Sequence, residues 1–342
     1  MITNKSVLKS EIKVSLIIPV SFKDIEKFNF LIKNLNKNID FAFEIIAIIN
    51  GCSHEEININ IEYLELITNG KLINIFNNKI LYPGEARNIG LKFSKGNYIA
   101  FLDINTIPES NWLKNSIKLI INNPEGFLGR TIYKYTNNFE KLFIAATYGF
   151  KPLFTIPGSL IKKDLFNKIG WFLPLVRSGE DSDWINRCLL FNKNIKNKNC
   201  PTIYYSGLQN KTFFYLCKKW YKYYSCSSGE VQIFQRQKYL YFFFIALCLI
   251  FISFNWNYMF SEWQEDSIFY VPHITKIMIY FIALIYTIIR IIWLPLLKGF
   301  NFKNLNLINL VYFIFINIII DLVKLAAFIV SSFKNLLKFK SY

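Results

Sequence analysis

The chain reads as an α/β head followed by an all-α membrane region. Over residues 1 to about 235, short apolar runs alternate with polar, amphipathic segments, and beyond them the sequence is dominated by long apolar stretches. Hydrophobic residues make up 53% of the 342 positions and the mean hydropathy is +0.25, too apolar for a wholly water-soluble protein. A third observation sits inside the head: the run Gly96-Asn-Tyr-Ile-Ala-Phe-Leu-Asp-Ile-Asn105 ends in a carboxylate and, two residues on, an amide.

Taken in order, Val14 to Val20 predicts a buried strand, and Ile25 to Leu35 repeats apolar residues at helical spacing. Glu44 to Asn50 predicts a second buried strand ending in the turn Asn50-Gly51-Cys52-Ser53. A helix over about 54–67, a strand over Leu72 to Phe76, a helix from Pro83-Gly84 to about Ser94 and the strand ending at Asp103 follow. This alternation predicts a mostly parallel sheet with helices on both faces, whose ligands bind beyond the carboxyl ends of the strands. In an extended backbone Asp103 and Asn105 would share one side, a seat for a divalent cation and a diphosphate, although Asp-x-Asn is also an ordinary turn signal. Past Pro108 come a helix over about Glu109 to Ile121, a strand pair around Phe127 to Tyr135, a mixed segment at 137–153, and a strand at Thr155 to Ile161. The loop Arg177-Ser-Gly-Glu-Asp-Ser-Asp183 then runs into the helix Trp184 to Phe191, and its acids would also serve as plain helix capping.

The net charge of +17 is spread among asparagines and isoleucines without a compact basic stripe, which argues against nucleic acid and for a surface facing anionic lipid. Six cysteines show no CxxC pair, and two histidines exclude a multi-histidine metal site. No signal peptide is visible, so the head is expected in the cytoplasm.

Together these pieces resemble the GT-A fold of family 2 glycosyltransferases. The resemblance rests on Ser15-Leu-Ile-Ile-Pro-Val20, the Glu44 strand with Asn50-Gly51, Gly84-x-Ala-Arg-Asn88 with Gly90, Phe101-Leu-Asp-Ile-Asn105 and Gly179-Glu-Asp181, in family order over roughly residues 12–206. It implies a Rossmann-like nucleotide-sugar half at 1–105 and an acceptor-binding, catalytic half at 106–206. It assigns Pro19, Val20, Asn50, Arg87 and Asp103 to the nucleotide-sugar donor. Asp103 and Asn105 would hold a divalent cation, Mg2+ or Mn2+, weakly, because Asn105 stands where relatives carry a second acid. Ile49-Asn50 departs from the usual acidic pair, which leaves the base undetermined.

The resemblance makes Asp181 the base of a one-step inverting displacement, with Glu180 orienting the acceptor or loop and Asp183 behind them. A hydroxyl acceptor needs a base and a lipid phosphate does not, which favours a saccharide or lipid-linked saccharide. Polyprenyl-phosphate transfer and a catalytically silent GT-A-like scaffold of a membrane glycan-assembly complex are the alternatives.

Residues 207–236, with Phe213 to Ser225, are expected to lie along the membrane interface, and 237–342 to form two or three transmembrane helices. Tyr239 to Ser261 is uncharged, Ile277 to Leu297 is interrupted only by Arg290, and Leu305 to Phe333 only by Asp321 and Lys324. The lysine distribution orients the head inward, giving a multi-pass protein of the inner (plasma) membrane with a cytoplasmic catalytic domain. The third segment would leave Lys334, Lys338 and Lys340 outside if it crossed, so a bent or re-entrant form is expected, with Asp321 and Lys324 paired on one helical face. Oligomer contacts through these helices are left open.

Overall fold

The computed structural model of the protein describes residues 12–35, 38–52, 68–226, 234–303 and 305–339. The helix expected over about 54–67 lies outside the described residues. The chain divides into two compact units, the first taking residues 1–140, 151–216 and 229–231.

The first unit is built on an eight-stranded mixed sheet of order β3-β2-β1-β4-β7-β6-β8-β5. Strands β1 (Val14–Ser21), β2 (Glu44–Asn50), β3 (Leu72–Asn77) and β4 (Tyr98–Phe101) pair in parallel. The expected α/β class is thus observed, with an antiparallel second half: β7 (Leu153–Lys162) runs against both β4 and β6 (Gly126–Tyr133). Strand β8 (Thr202–Tyr205) returns parallel to β6, and β5 (Thr106–Pro108) closes the edge antiparallel to β8.

Strand periodicity explains the two cores. Leu16, Ile18 and Val20 of β1, with Ile45, Ala47 and Ile49 of β2, pack on one face with Phe28, Leu31 and Trp112 from α1 (Ile25–Leu35) and α3 (Trp112–Ile120). Ile17, Ile46, Ile48 and Phe101 point the other way, toward α2 (Pro83–Phe93), α5 (Lys163–Ile169) and α6 (Glu180–Phe191). Each fully buried isoleucine contributes about 1.5–3 kcal/mol, which is why these runs carry no polar alternation. Helix α2 lies close on β1 because position 90 is glycine: a Cβ there would sit 2.5 Å from Ile17 Cγ2.

The second unit takes residues 141–150, 217–228 and 232–342. Residues 141–150, the second part of α4 (Asn138–Ala146) and the turn after it, were expected in the head and pack instead with the C-terminal helices. The cause is the free carbonyls at that helix end: Ala146 accepts from Arg290 Nη2 at 3.0 Å and Thr147 from Lys298 Nζ at 2.5 Å, while Phe150 stacks on Phe300. The stretch Phe213 to Ser225, for which an interfacial position was expected, folds as the helix α7 (Phe213–Cys226), whose Trp220 ring packs on Tyr148 and receives Lys324 Nζ at 5.0 Å.

Helix α8 (Phe234–Ser261) covers the first expected span. Helix α9 (Ile274–Tyr286) continues through a π-helical stretch, Thr287–Trp293, to Leu297, and α10 runs unbroken from Leu307 to Phe339. Among the described residues two helices, Ile274–Leu297 and Leu307–Ser331, are long and apolar enough to cross a membrane. The third segment, expected to be bent or re-entrant, is one continuous 33-residue α-helix. What makes its charges tolerable is pairing: Asp321 accepts from Lys324 at 3.1 Å, as the three-residue spacing suggested, and also from Arg290 Nε at 2.5 Å and Nη2 at 3.1 Å.

Candidate active site

Strand β4 stops at Phe101, two residues before the aspartate. Leu102 N–H still donates to Ile17 C=O at 3.2 Å, but Asp103 C=O then accepts from Thr106 N–H at 2.9 Å and from the Thr106 hydroxyl at 2.5 Å. Asp103 to Thr106 is thus a tight turn, and the two-residue alternation expected for Asp103 and Asn105 does not apply. Ile104 packs against the core and the Asn105 carbonyl accepts from Ser206 N–H at 2.9 Å, so the turn is pinned to the loop after β8.

The organising residue is Arg87, on the inner face of α2 and only 2% exposed. Its Nη2 donates to Asp103 at 3.1 Å, and its Nη1 donates to Asp181 and lies 3.4 Å from Glu180. Asp103 and Asp181, far apart in the sequence, are thereby brought to the two ends of a single guanidinium. One cation faces three carboxyl groups. Burial works against the charge on Arg87, yet Asp181, Asp103 and Glu180 together hold its pKa above the usual arginine range. Burial and then the Asp181 charge push Glu180 up to about 8, with Arg87 opposing, so at neutral pH this carboxyl keeps its proton. Asp181 is also raised, first by desolvation, while Arg87 pulls it back; its side chain stays 36% exposed.

The loop carrying the acids is held by sequence-local devices. Gly179, at φ +97°, starts α6 in a conformation that other residues adopt only with strain, and Asp183 N–H closes the first turn on its carbonyl at 2.9 Å. Asp183 pairs with Arg187 at 2.7 Å, whose guanidinium also donates to the carbonyls of Ile169 and Trp171. Its place is structural, behind the acids.

Asn50 spends its amide on the scaffold: Nδ2 donates to Val20 C=O at 2.8 Å and Oδ1 accepts from Leu81 N–H at 3.3 Å. It ties the end of β1 to the entry of α2. The Val20 side chain is fully buried, while Pro19 remains half-buried.

Sequence reasoning missed two residues. Asn88, quoted only as part of a motif, grips Phe172 through both backbone groups, donating to its carbonyl at 2.8 Å and accepting from its N–H at 3.1 Å. The Phe172 ring in turn lies 5.5 Å from the Arg87 guanidinium and packs with Phe101, Phe166 and Trp184. The signal was present, a polar amide adjacent to Arg87 on an otherwise packed helix, but its partner lies 84 residues away. Among the described residues no group of three or more His, Cys, Asp or Glu side chains gathers as a metal site.

Residues 15–178 match the family model described as Glycosyl transferase family 2. An uncharacterized glycosyltransferase of Rickettsia bellii is 34% identical over 122 residues, covering 35% of this chain and 16% of that protein. One of Haemophilus influenzae is 26% identical over 193 residues, covering 52% of this chain and 62% of that protein. The chain thus spans less than two thirds of the length of either relative. Among solved structures, S. aureus TarS 1-349 in complex with UDP-GlcNAc aligns with a TM-score of 0.42 at 17% identity, covering 70% of this chain and 66% of that one. S. aureus TarS aligns with a TM-score of 0.41 at 16% identity, covering 75% and 46%. Residues 15–178 of this chain carry a glycosyl transferase family 2 domain.

Proposed function

We propose that the protein is a membrane-anchored, inverting glycosyltransferase that moves a sugar from a nucleotide-sugar donor to a hydroxyl of a saccharide or lipid-linked acceptor in cell-surface glycan assembly. The observation that carries this reading is the convergence of Asp103 and Asp181 on Arg87. Attack on an anomeric carbon needs a base beside the acceptor and positive charge beside the departing diphosphate, and these residues supply both within one cluster. Asp181, the more exposed acid on the loop side, takes the acceptor proton. Glu180, neutral and buried, orients the loop. Arg87 offers a planar fork of donors suited to phosphate oxygens.

Pro19, Val20 and Asn50 border the nucleotide at the ends of β1 and β2, Val20 through its backbone. Asp103 and Asn105 are one carboxylate and one amide, hard oxygen donors that suit a magnesium- or manganese-type ion keeping several waters. Bound there, such an ion would offset charge on the diphosphate. The apolar helices would keep the head beside lipid-borne acceptors in the inner membrane.

The test is incubation of the detergent-solubilised protein with labelled nucleotide sugars and acceptor extracts. Release of nucleoside diphosphate, lost in Asp181→Asn, supports the transferase. Donor binding with no turnover in any combination would instead favour the silent scaffold.

A further inference from the structure

Arg87 is buried behind carboxylates that are not. Its side chain is 2% exposed, whereas Asp103 is 32% and Asp181 36% exposed. An anion entering from solvent therefore meets the acids first, and reaches the guanidinium by displacing one of them. The two acids are not equally held. Asp103 is the one partner of Nη2, whereas Nη1 is shared between Asp181 and the deeper Glu180. If Asp181 leaves, Nη1 keeps a carboxyl oxygen beside it; if Asp103 leaves, Nη2 keeps none of the three. The buried Nε has no partner and Nη2 has one acceptor for its two N–H groups, so this arrangement leaves two of the five guanidinium donors unspent.

We infer that Arg87 has a second role as a positioning residue that couples the two substrates: it holds Asp181 in an ion pair until a diphosphate takes its place, and thereby releases the base only when donor is present. This rests on the transferase reading and adds an order of events to it. A carboxylate paired with a guanidinium is a poor proton acceptor, because transfer would strand the cation. Once the diphosphate holds Arg87, Asp181 regains its basicity beside the acceptor. Without donor no activated base faces water or acceptor. The mechanical frame is rigid enough for this exchange, since Gly90 seats α2 on β1 and Asn88 fixes Phe172 under the guanidinium.

An Asp181 latched to Arg87 should behave in the opposite way to a simple base. Asp181 and the diphosphate compete for one fork, so removing the Asp181 charge should tighten diphosphate binding. Calorimetry on the full detergent-solubilised chain, with magnesium present, would use two probes, uridine diphosphate and inorganic pyrophosphate. Asp181→Asn should bind at least one of them on the order of tenfold more tightly than wild type, a typical coupling between linked sites. In an Arg87→Gln background the same substitution should give no gain. A gain of equal size there would reflect only relief of repulsion between the acid and the anion, and would overturn the latch, as would no gain in the single variant. If Arg87→Gln does not fold, hydrogen exchange of the wild-type chain decides. Over 177–183 exchange should quicken on adding the probe as the Arg87 tether is lost, and slowing or no change there overturns the inference. Binding without these signatures sinks the latch alone; no binding of either probe sinks the donor reading with it.

Discussion

Glu180 offers a test of the site's electrostatics that does not depend on knowing the substrate. Its carboxyl ionises near 4.5 when unperturbed and is pushed up to about 8 in the fold, chiefly by burial and next by the Asp181 charge. Between those values the native state holds a proton that the unfolded chain has released. Stability must then fall as pH rises from about 5 to about 8, with the contribution complete below pH 4.5 and gone above 8. A rise of that size corresponds to about 5 kcal/mol. Glu180→Gln removes the titration while keeping the shape and a hydrogen-bonding oxygen toward Arg87. Wild type and variant, each detergent-solubilised, would be unfolded thermally at intervals from pH 5 to 8 and followed by intrinsic fluorescence. Taking the difference between them cancels every other titrating group. The two should melt together near pH 5, and the variant should gain on the order of 10 °C by pH 8. Parallel curves over the whole range would show that Glu180 is ionised in the native state and refute the reading of a protonated carboxyl beside Arg87.

Other outcomes follow from single contacts. Asp181→Asn should lower sugar transfer by a factor on the order of a hundred or more, measured as nucleoside diphosphate release. Gly90→Ala should cost about 1–3 kcal/mol in thermal or urea unfolding despite alanine's better helix propensity, because the new methyl meets the fully buried Ile17 at 2.5 Å. Asp321→Asn should destabilise the detergent-solubilised chain by about 3–5 kcal/mol, since Arg290 and Lys324 lose a shared buried counter-charge. Replacing all three together with apolar residues of similar volume should restore much of that loss, and the same melting assay reads both.

The fold class was legible because β1, β2 and β4 announce themselves locally: Leu16–Val20, Ile45–Ile49 and Tyr98–Phe101 are unbroken apolar runs of strand length, as strands buried on both faces must be. Strands β5 and β8 were not read as strands, being three and four residues long and half-buried, and their pairing with each other joins positions about a hundred apart. The turn at Asp103 was read as extended because Phe101-Leu102 continues the apolar pattern. What ended the strand was Thr106, whose N–H and hydroxyl both fold back on the Asp103 carbonyl. At Asn50 the residue was identified and its neighbours were not: both amide atoms are consumed by Val20 and Leu81.

By itself the sequence determined the periods, the breakers and the chemical types: which runs must be buried, where the acids lie, and that the last third is apolar enough for lipid. Those properties are carried by neighbours a few positions apart, so they survive without the fold. Tertiary structure alone decided that Arg87 would meet acids 16, 93 and 94 positions away, and that Arg290 would meet Asp321, 31 positions on. A buried charge can choose its partner only when packing has removed water and set the distance. That choice, made by α2 lying tight on β1, is what turned scattered acids into one site.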